Sequence, residues 1–291
     1  MTLDLSHLAK DVREQAFESS VARVRHVQEA RWITHERVQR VLDELEWRFN
    51  CPTCSRMPCL LLYGDSGMGK TMAIEKFMRL HPPTYDHKAG ITKSPVVIVN
   101  MPSSPKERRF FARLLESLHA PFSPSEGLIA LETLAMRILR RVEPKMLIID
   151  EAHDLLAGSY REQRCALNLL KGLANDLKIP VIAVGTEDAR HAIQTDPQVA
   201  SRFDPLHLAR WKESDAFRNF VAAFGKLLPL RKASAFGQRE MVRLLLDRSE
   251  GITGRATRLI SRAAAEAIQD GSELVTLERI DEISRRTTIT A

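Results

Sequence analysis

The sequence predicts an α/β fold in three layers, with a parallel five-stranded sheet between helices, an N-terminal helical extension and a small C-terminal helical lid. Three observations predict this fold. Short apolar runs are separated by segments with helical periodicity. Each run is continuous and not alternating, as expected for parallel strands buried on both faces. After residue 211 only helical periodicity remains. The runs lie at residues 60–62, 96–99, 146–149, 181–184 and near residue 206.

The length of 291 residues suggests about two domains. We expect a helical extension over residues 1–50, a core over 51–210 and the lid over 211–291. Hydrophobic residues make up 44% and charged residues 27% of the chain, which are globular values. Every apolar run is far shorter than the roughly 20 residues that cross a bilayer, and no signal-type segment begins the chain. We therefore expect a cytoplasmic protein with no membrane partner. The net charge of +6 only weakly favours a polyanionic partner.

The first apolar run leads into a glycine-rich turn and then into a helical segment. Four of its residues fill the pattern G-x-x-x-x-G-K-[ST], known as Walker A or the P-loop. Its glycines let backbone N–H groups surround a polyphosphate at the positive end of the next helix. We expect the lysine to reach the β- and γ-phosphates and the threonine hydroxyl to ligate Mg²⁺. The predicted nucleotide-binding residues are Gly64, Asp65, Ser66, Gly67, Met68, Gly69, Lys70 and Thr71.

A second motif, Walker B, follows the third apolar run, which ends in Asp150 and Glu151. Two carboxylates at the end of a buried strand are costly without a cation, so a purely structural explanation is poor. Asp150 is placed to hold Mg²⁺ through water, and Glu151 to orient and deprotonate an attacking water. Together with Lys70, these residues predict an ATPase that uses ATP and Mg²⁺.

The fourth apolar run ends at Thr186, where a side chain that senses the γ-phosphate would lie. The alternative is a threonine that caps the following helix. Near the fifth run, Arg202 has the position of an arginine finger that reaches the nucleotide of a neighbouring subunit. Its alternative role is an ion pair with Asp204 or Asp196. Both choices stay open from the sequence.

In the lid, Gly254 ends a turn and Arg255 begins a helix, so Arg255 is the preferred lid residue to touch the phosphates. Arg258, one turn later, is the alternative.

Two other features allow more than one interpretation. Trp32 and Ile33 either cover the adenine base or belong to the core. Cys51 and Cys54 have the spacing of a zinc knuckle, but no second pair follows, so a surface loop with reduced thiols is the favoured interpretation.

These motifs, in this order across residues 60–270, resemble those of the AAA+ ATPases. The segments at residues 31–33, 56–62, 150–164 and 185–186 resemble the TniB family more narrowly. TniB proteins are ATP-dependent transposition regulators related to TnsC.

The resemblance implies partners and an activity. ATP-bound subunits would form a homo-oligomeric ring or helical filament on double-stranded DNA, with six or seven subunits per turn. They would select the target site and recruit and activate a TniA- or TnsB-like transposase, with a TniQ-like adaptor as a further partner. ATP hydrolysis would drive disassembly. The implied location is the bacterial cytoplasm, at the nucleoid when the protein is active.

If subunits stack around DNA, basic residues at loop ends should face the pore and contact phosphates. The alternative is a solvated helix face. The first candidates are Lys106, Arg108 and Arg109, and the second are Arg161 and Arg164.

Residues 150–153 also spell the signature of a helicase class, but the chain has no room for a second motor domain. A helicase loader of the AAA+ class remains an alternative. A scaffold that binds ATP without hydrolysing it is another, although Glu151 would have no use there.

Overall fold

The computed structural model describes residues 4–29, 31–88 and 90–288, and they form two compact units. The helical unit contains the described residues of Met1–Glu36, Ser66–Gly69 and Ala209–Ala291. The sheet unit contains those of Arg37–Asp65 and Lys70–Leu208. The three-domain division drawn from the sequence, whose outermost residues lie outside the described ranges, stays a prediction.

The sheet unit is built on five parallel strands in the order β4-β5-β6-β1-β7, which confirms the predicted fold class. Strands β5 and β6 lie inside the sheet and are buried along their whole length, which explains their uninterrupted apolar sequence. Two short strands pair with each other outside this sheet. The strands are β1 (Cys59–Tyr63), β2 (Thr84–Asp86), β3 (Ile91–Lys93), β4 (Val96–Asn100), β5 (Met146–Asp150), β6 (Val181–Gly185) and β7 (Phe203–His207).

One helix of the sheet unit precedes β1 and the others connect its strands or lie between them in the chain, and apolar residues of several of them belong to its core. They are α2 (Glu36–Phe49), α3 (Lys70–Leu80), α4 (Glu107–Ser117), α5 (Leu128–Val142), α6 (Tyr160–Leu177), α7 (Glu187–Gln194) and α8 (Pro197–Ala200). Because parallel strands share a direction, all their C-terminal ends lie at one edge of the sheet. That edge carries the residues after β1, β5 and β6, where the nucleotide site is predicted.

Two details of local structure in this unit go beyond the pattern of apolar runs in the sequence. Strands β2 and β3 form an antiparallel pair between α3 and β4. The helical segment after β5 is divided into a 3₁₀ turn, Ala152–Ala157, and α6. The division follows from a capping box, in which the Ser159 hydroxyl accepts from the Glu162 N–H and the Glu162 carboxylate accepts from the Ser159 N–H.

The helical unit contains α1 (Ser20–Gln28) and a group of four C-terminal helices, α9 (Asp215–Gly225), α10 (Arg239–Ser249), α11 (Thr253–Gln269) and α12 (Leu277–Thr288). Before α1, the predicted helical extension contains two short 3₁₀ turns, Lys10–Val12 and Gln15–Phe17. Arg23 of α1 is fully buried and donates two hydrogen bonds to the Glu273 carboxylate, at 3.0 and 2.7 Å. This bidentate pair ties α1 to the turn before α12. Within the described residues, no helix has the length and apolar character needed to cross a membrane.

Candidate nucleotide site

The P-loop begins at a position that admits only glycine. Gly64 has a φ of +154°, and a Cβ atom there would lie 2.4 Å from the Leu208 carbonyl oxygen. The Gly64 N–H donates to the Gly185 carbonyl at 3.2 Å, which ties the start of the loop to the end of β6. The close backbone approach explains the first glycine of the motif.

Lys70 turns its ammonium group back toward the loop. Its Nζ donates to the carbonyl oxygens of Gly64, at 2.7 Å, and Asp65, at 2.9 Å. Burial lowers the pKa of Lys70, and the nearby carboxylates of Asp150, Glu151 and Asp65 oppose that shift. Among the described residues, the hydrogen bonds of this buried ammonium go to neutral carbonyl oxygens, so Lys70 is suited to an anionic ligand such as a triphosphate.

Thr71 and Asp150 meet as the motifs predict. The Thr71 hydroxyl donates to Asp150 Oδ2 at 3.1 Å, and Asp150 Oδ1 accepts from the Glu151 N–H at 2.8 Å. A hydroxyl and a carboxylate are hard oxygen donors of the kind that Mg²⁺ prefers. The two side chains therefore fit a magnesium site. The described residues contain no group of three or more His, Cys, Asp or Glu side chains that could hold a metal ion.

Glu151 occupies the left-handed region, with φ 55° and ψ 35°, directly after β5. Such a conformation is uncommon for a residue other than glycine, and it marks sites where side-chain direction matters. The Glu151 carboxylate is exposed, and its Oε2 lies 3.2 Å from His153 Nδ1. His153 belongs to the same motif, but its place in the sequence indicates no role for it.

Thr186 lies at the N-cap position of α7, but its side chain makes no capping hydrogen bond. Its Oγ1 is buried and has no hydrogen-bond partner among the described residues. Buried hydroxyl groups are nearly always paired, so this atom is suited to a ligand. The observation favours the phosphate-sensing interpretation over simple capping, and the assignment stays a prediction.

Replacing Thr186 with valine is therefore expected to separate stability from activity. Valine has nearly the same shape and removes the unpaired hydroxyl, so the free energy of unfolding should stay equal or rise by about 1 kcal/mol. The rate constant of ATP hydrolysis should fall roughly tenfold or more if the hydroxyl stabilises the transition state. Chemical denaturation and steady-state ATPase assays measure the two effects. A less stable valine variant would mean that the hydroxyl serves the fold.

Within a single chain, Arg202 does not join the P-loop and Walker B residues. Its carbonyl accepts from the N–H of Cys59, the first residue of β1, so it lies at the N-terminal edge of the sheet, opposite the P-loop edge. Its guanidinium donates to Asn175 Oδ1 at 2.6 Å. The two acids considered as its partners have other bonds, since Asp204 pairs with Arg48 and Asp196 caps α8.

The lid candidates lie near the start of α11 in the helical unit. The Gly254 N–H donates to the Gly67 carbonyl at 2.8 Å, so this helix start contacts the P-loop residues that belong to the same unit. Arg255 is exposed and pairs with Glu250 at 2.9 Å. Arg258 is exposed as well. Arg255 as the preferred lid residue, with Arg258 as its alternative, stays a prediction.

The basic residues proposed to contact DNA are all exposed. Arg108 also donates to the carbonyls of Pro124 and Glu126, which commits its guanidinium to the loop before α5. Lys106 lies 3.8 Å from Glu162, a weak pairing at an exposed site. The Arg164 guanidinium lies 5.9 Å from the centre of the Tyr160 ring. Arg109 and Arg161 complete the group.

The remaining ambiguous residues have ordinary surroundings. Cys54 Sγ donates to the Arg56 carbonyl at 3.0 Å, and both Cys51 and Cys54 are free thiols. Trp32 is half-buried, and its indole N–H donates to the Thr34 hydroxyl at 2.9 Å. Whether Trp32 and Ile33 cover a base stays a prediction.

Comparison with known proteins identifies similar sequences and folds. The family model described as "Bacterial TniB protein" matches residues 23–213. No curated protein matches the chain. Among solved structures, Cdc6p from Pyrobaculum aerophilum is 16% identical with a TM-score of 0.62, covering 86% of this chain and 67% of that one. The Aeropyrum pernix ORC1 protein, solved in complex with DNA, is 15% identical with a TM-score of 0.63, covering 91% and 69%.

The Aeropyrum pernix ORC2 protein, solved as ADPNP and ADP complexes, is 16% identical with a TM-score of 0.63, covering 90% and 71%. At this level of identity, the likeness to solved structures concerns the fold alone.

Proposed function

The chain belongs to the bacterial TniB family of AAA+ ATPases, and from that premise we propose that it is an ATP-dependent DNA-binding regulator of transposition. ATP-bound subunits assemble on duplex DNA, select the target site and recruit and activate a TniA- or TnsB-like transposase. A TniQ-like adaptor is a further proposed partner. The observation that carries this proposal is the meeting of Lys70, Thr71 and Asp150 at one edge of the sheet.

The proposed chemistry assigns a task to each side chain. Lys70 exchanges its two carbonyl partners for phosphate oxygens and keeps its charge. Thr71 and Asp150 hold Mg²⁺, which when bound neutralises phosphate charge and orients the triphosphate. The Glu151 carboxylate orients a water molecule and accepts its proton. The Thr186 hydroxyl donates to the γ-phosphate, which supplies the partner that its buried oxygen otherwise lacks.

We propose that the site is completed by other subunits of a homo-oligomer, a ring or helical filament with six or seven subunits per turn. The position of Arg202 supports this proposal, because it lies at the sheet edge opposite its own P-loop. A neighbour that presents that edge would bring the guanidinium to the γ-phosphate. Arg255 is the proposed lid contact, once it leaves Glu250.

The proposed DNA contacts are the exposed cations that follow the C-terminal edge of the sheet. Lys106 and Arg109 are the first choice because Arg108 already binds backbone carbonyls. Arg161 and Arg164 are the second. The complex of the Aeropyrum pernix ORC1 protein with DNA lends support by fold likeness only.

A salt titration tests this proposal. With a slowly hydrolysed ATP analogue, fluorescence anisotropy should show tight binding to duplex DNA that weakens steeply as salt rises. The double variant Lys106→Ala and Arg109→Ala should weaken binding on every sequence and lower the slope of log K against log salt by about 2, roughly 0.9 for each lost phosphate contact.

The matched control removes two exposed arginines from the opposite edge of the sheet, Arg79→Ala and Arg140→Ala, near the ends of α3 and α5. The net charge changes equally, so a purely long-range effect would appear in both variants. An unchanged slope in the Lys106 and Arg109 variant would reject these two contacts. Equal DNA affinity with and without nucleotide would reject the ATP-dependent switch itself.

A further inference from the structure

We propose that His153 is a positioning residue that sets the direction of the Glu151 carboxylate through its imidazole Nδ1. This inference rests on the proposed ATPase function and names a further residue of that same site. Glu151 directly follows β5, and His153 is the second residue of the 3₁₀ turn that begins at Ala152.

The backbone of this turn determines where both side chains point. Glu151 has a left-handed conformation, and its carbonyl accepts from the Asp154 N–H at 3.0 Å. This hydrogen bond closes a turn of four residues, Glu151 to Asp154. The left-handed conformation is strained for a glutamate, and such strain persists where the surroundings maintain it. As a result, two side chains that would lie well apart on one face of a strand come into contact here.

The contact between the two side chains is close but not fully formed. His153 Nδ1 lies 3.2 Å from Glu151 Oε2. The same nitrogen is buried and has no aligned hydrogen-bond partner among the described residues. A buried imidazole nitrogen without a partner favours any rotation that gives it one, and the Glu151 carboxylate is within reach. The Glu151 side chain is 53% exposed, so it is free to make that rotation.

The backbone of His153 packs against Gly185 at the end of β6. A Cβ atom at Gly185 would lie 3.1 Å from the His153 backbone nitrogen and 2.6 Å from the Ala189 Cβ. Gly185 therefore lets the turn lie directly against the end of β6. Ala152, between the two side chains, is completely buried. Because the His153 backbone packs against the end of β6 and the Glu151 side chain is the more exposed of the two, His153 is the positioning residue and Glu151 is the residue that it positions.

A set of three variants tests which imidazole atom matters. His153→Ala should lower kcat for ATP hydrolysis about tenfold and leave KM for ATP within about twofold. His153→Asn places an amide near the position of Nδ1 and should restore most of kcat. His153→Gln places its amide near the position of Nε2 and should not restore it. His191→Ala removes another histidine beside a glutamate, at an exposed position on α7, and should change neither constant.

A second measurement needs no nucleotide and so stands apart from the proposed activity. Thermal unfolding midpoints are compared for His153→Ala, Glu151→Ala and the double variant. Contact between the side chains predicts that the midpoint shift caused by His153→Ala shrinks by at least half in the Glu151→Ala background. Additive shifts, or equal kcat values for the Asn and Gln variants, would overturn the proposal. An inactive natural protein with clearly non-additive shifts would instead reject the proposed function and retain the contact.

Discussion

Replacing Lys70 with alanine is expected to abolish ATP-dependent DNA binding. The Lys70 ammonium is buried, and among the described residues it donates to two backbone carbonyls, so the substitution removes the charged donor that a triphosphate would bind. Hydrogen bonds to charged groups contribute about 1.5–3 kcal/mol each. The loss of two such bonds would weaken ATP binding by roughly 10²-fold or more.

Titration with a fluorescent ATP analogue measures this loss, and anisotropy with labelled duplex DNA measures its consequence. Lys76→Ala is the matched control, because Lys76 lies on the same helix and belongs to no part of the proposed site. The unfolding midpoint should be measured for both variants, because Lys70 also donates hydrogen bonds to two carbonyls of the loop and its loss could affect stability. A Lys70→Ala protein that folds and still requires ATP to bind DNA would show that the phosphates are held elsewhere.

The central part of the fold could be predicted because its signals are local. Strands β5 and β6 are apolar at almost every residue, and both are buried throughout, so no knowledge of the partner strands was needed to recognise them. The P-loop could be predicted for a similar reason, because the backbone at residue 64 leaves no room for a side chain and so requires glycine. Lys70, Thr71 and Asp150 are brought together by that topology, as their motifs indicate.

Other features could not be predicted, because they depend on contacts between segments that sequence periodicity does not reveal. The pairing of β2 with β3 involves three residues on each strand, too few for a periodicity to appear. The unpaired Thr186 hydroxyl and the approach of His153 to Glu151 arise from how β5 and β6 end beside each other. The division before α6 had a local signal, a serine followed three residues later by glutamate, which the helical periodicity of the flanking residues masked.

Replacing Glu151 with glutamine is expected to have the opposite effect on DNA from the loss of Lys70. Glutamine keeps the size of the side chain but cannot accept a proton, so hydrolysis should slow by about 10²- to 10⁴-fold. The loop, Lys70 and the Thr71–Asp150 pair are unchanged, so ATP should bind as before. Because ATP then persists, the protein should retain or increase its DNA affinity with ATP and dissociate from DNA more slowly.

Single-turnover hydrolysis and the decay of anisotropy after addition of unlabelled DNA measure the two halves of this prediction. Asp154→Asn is the matched control, a carboxylate of the same turn to which no catalytic task is assigned. The comparison also discriminates between functions. In a scaffold that never hydrolyses ATP, Glu151→Gln would leave the dissociation rate from DNA unchanged. A regulator that hydrolysis removes from its target must dissociate more slowly when its general base is lost, because the ATP-bound state is the one that holds the DNA.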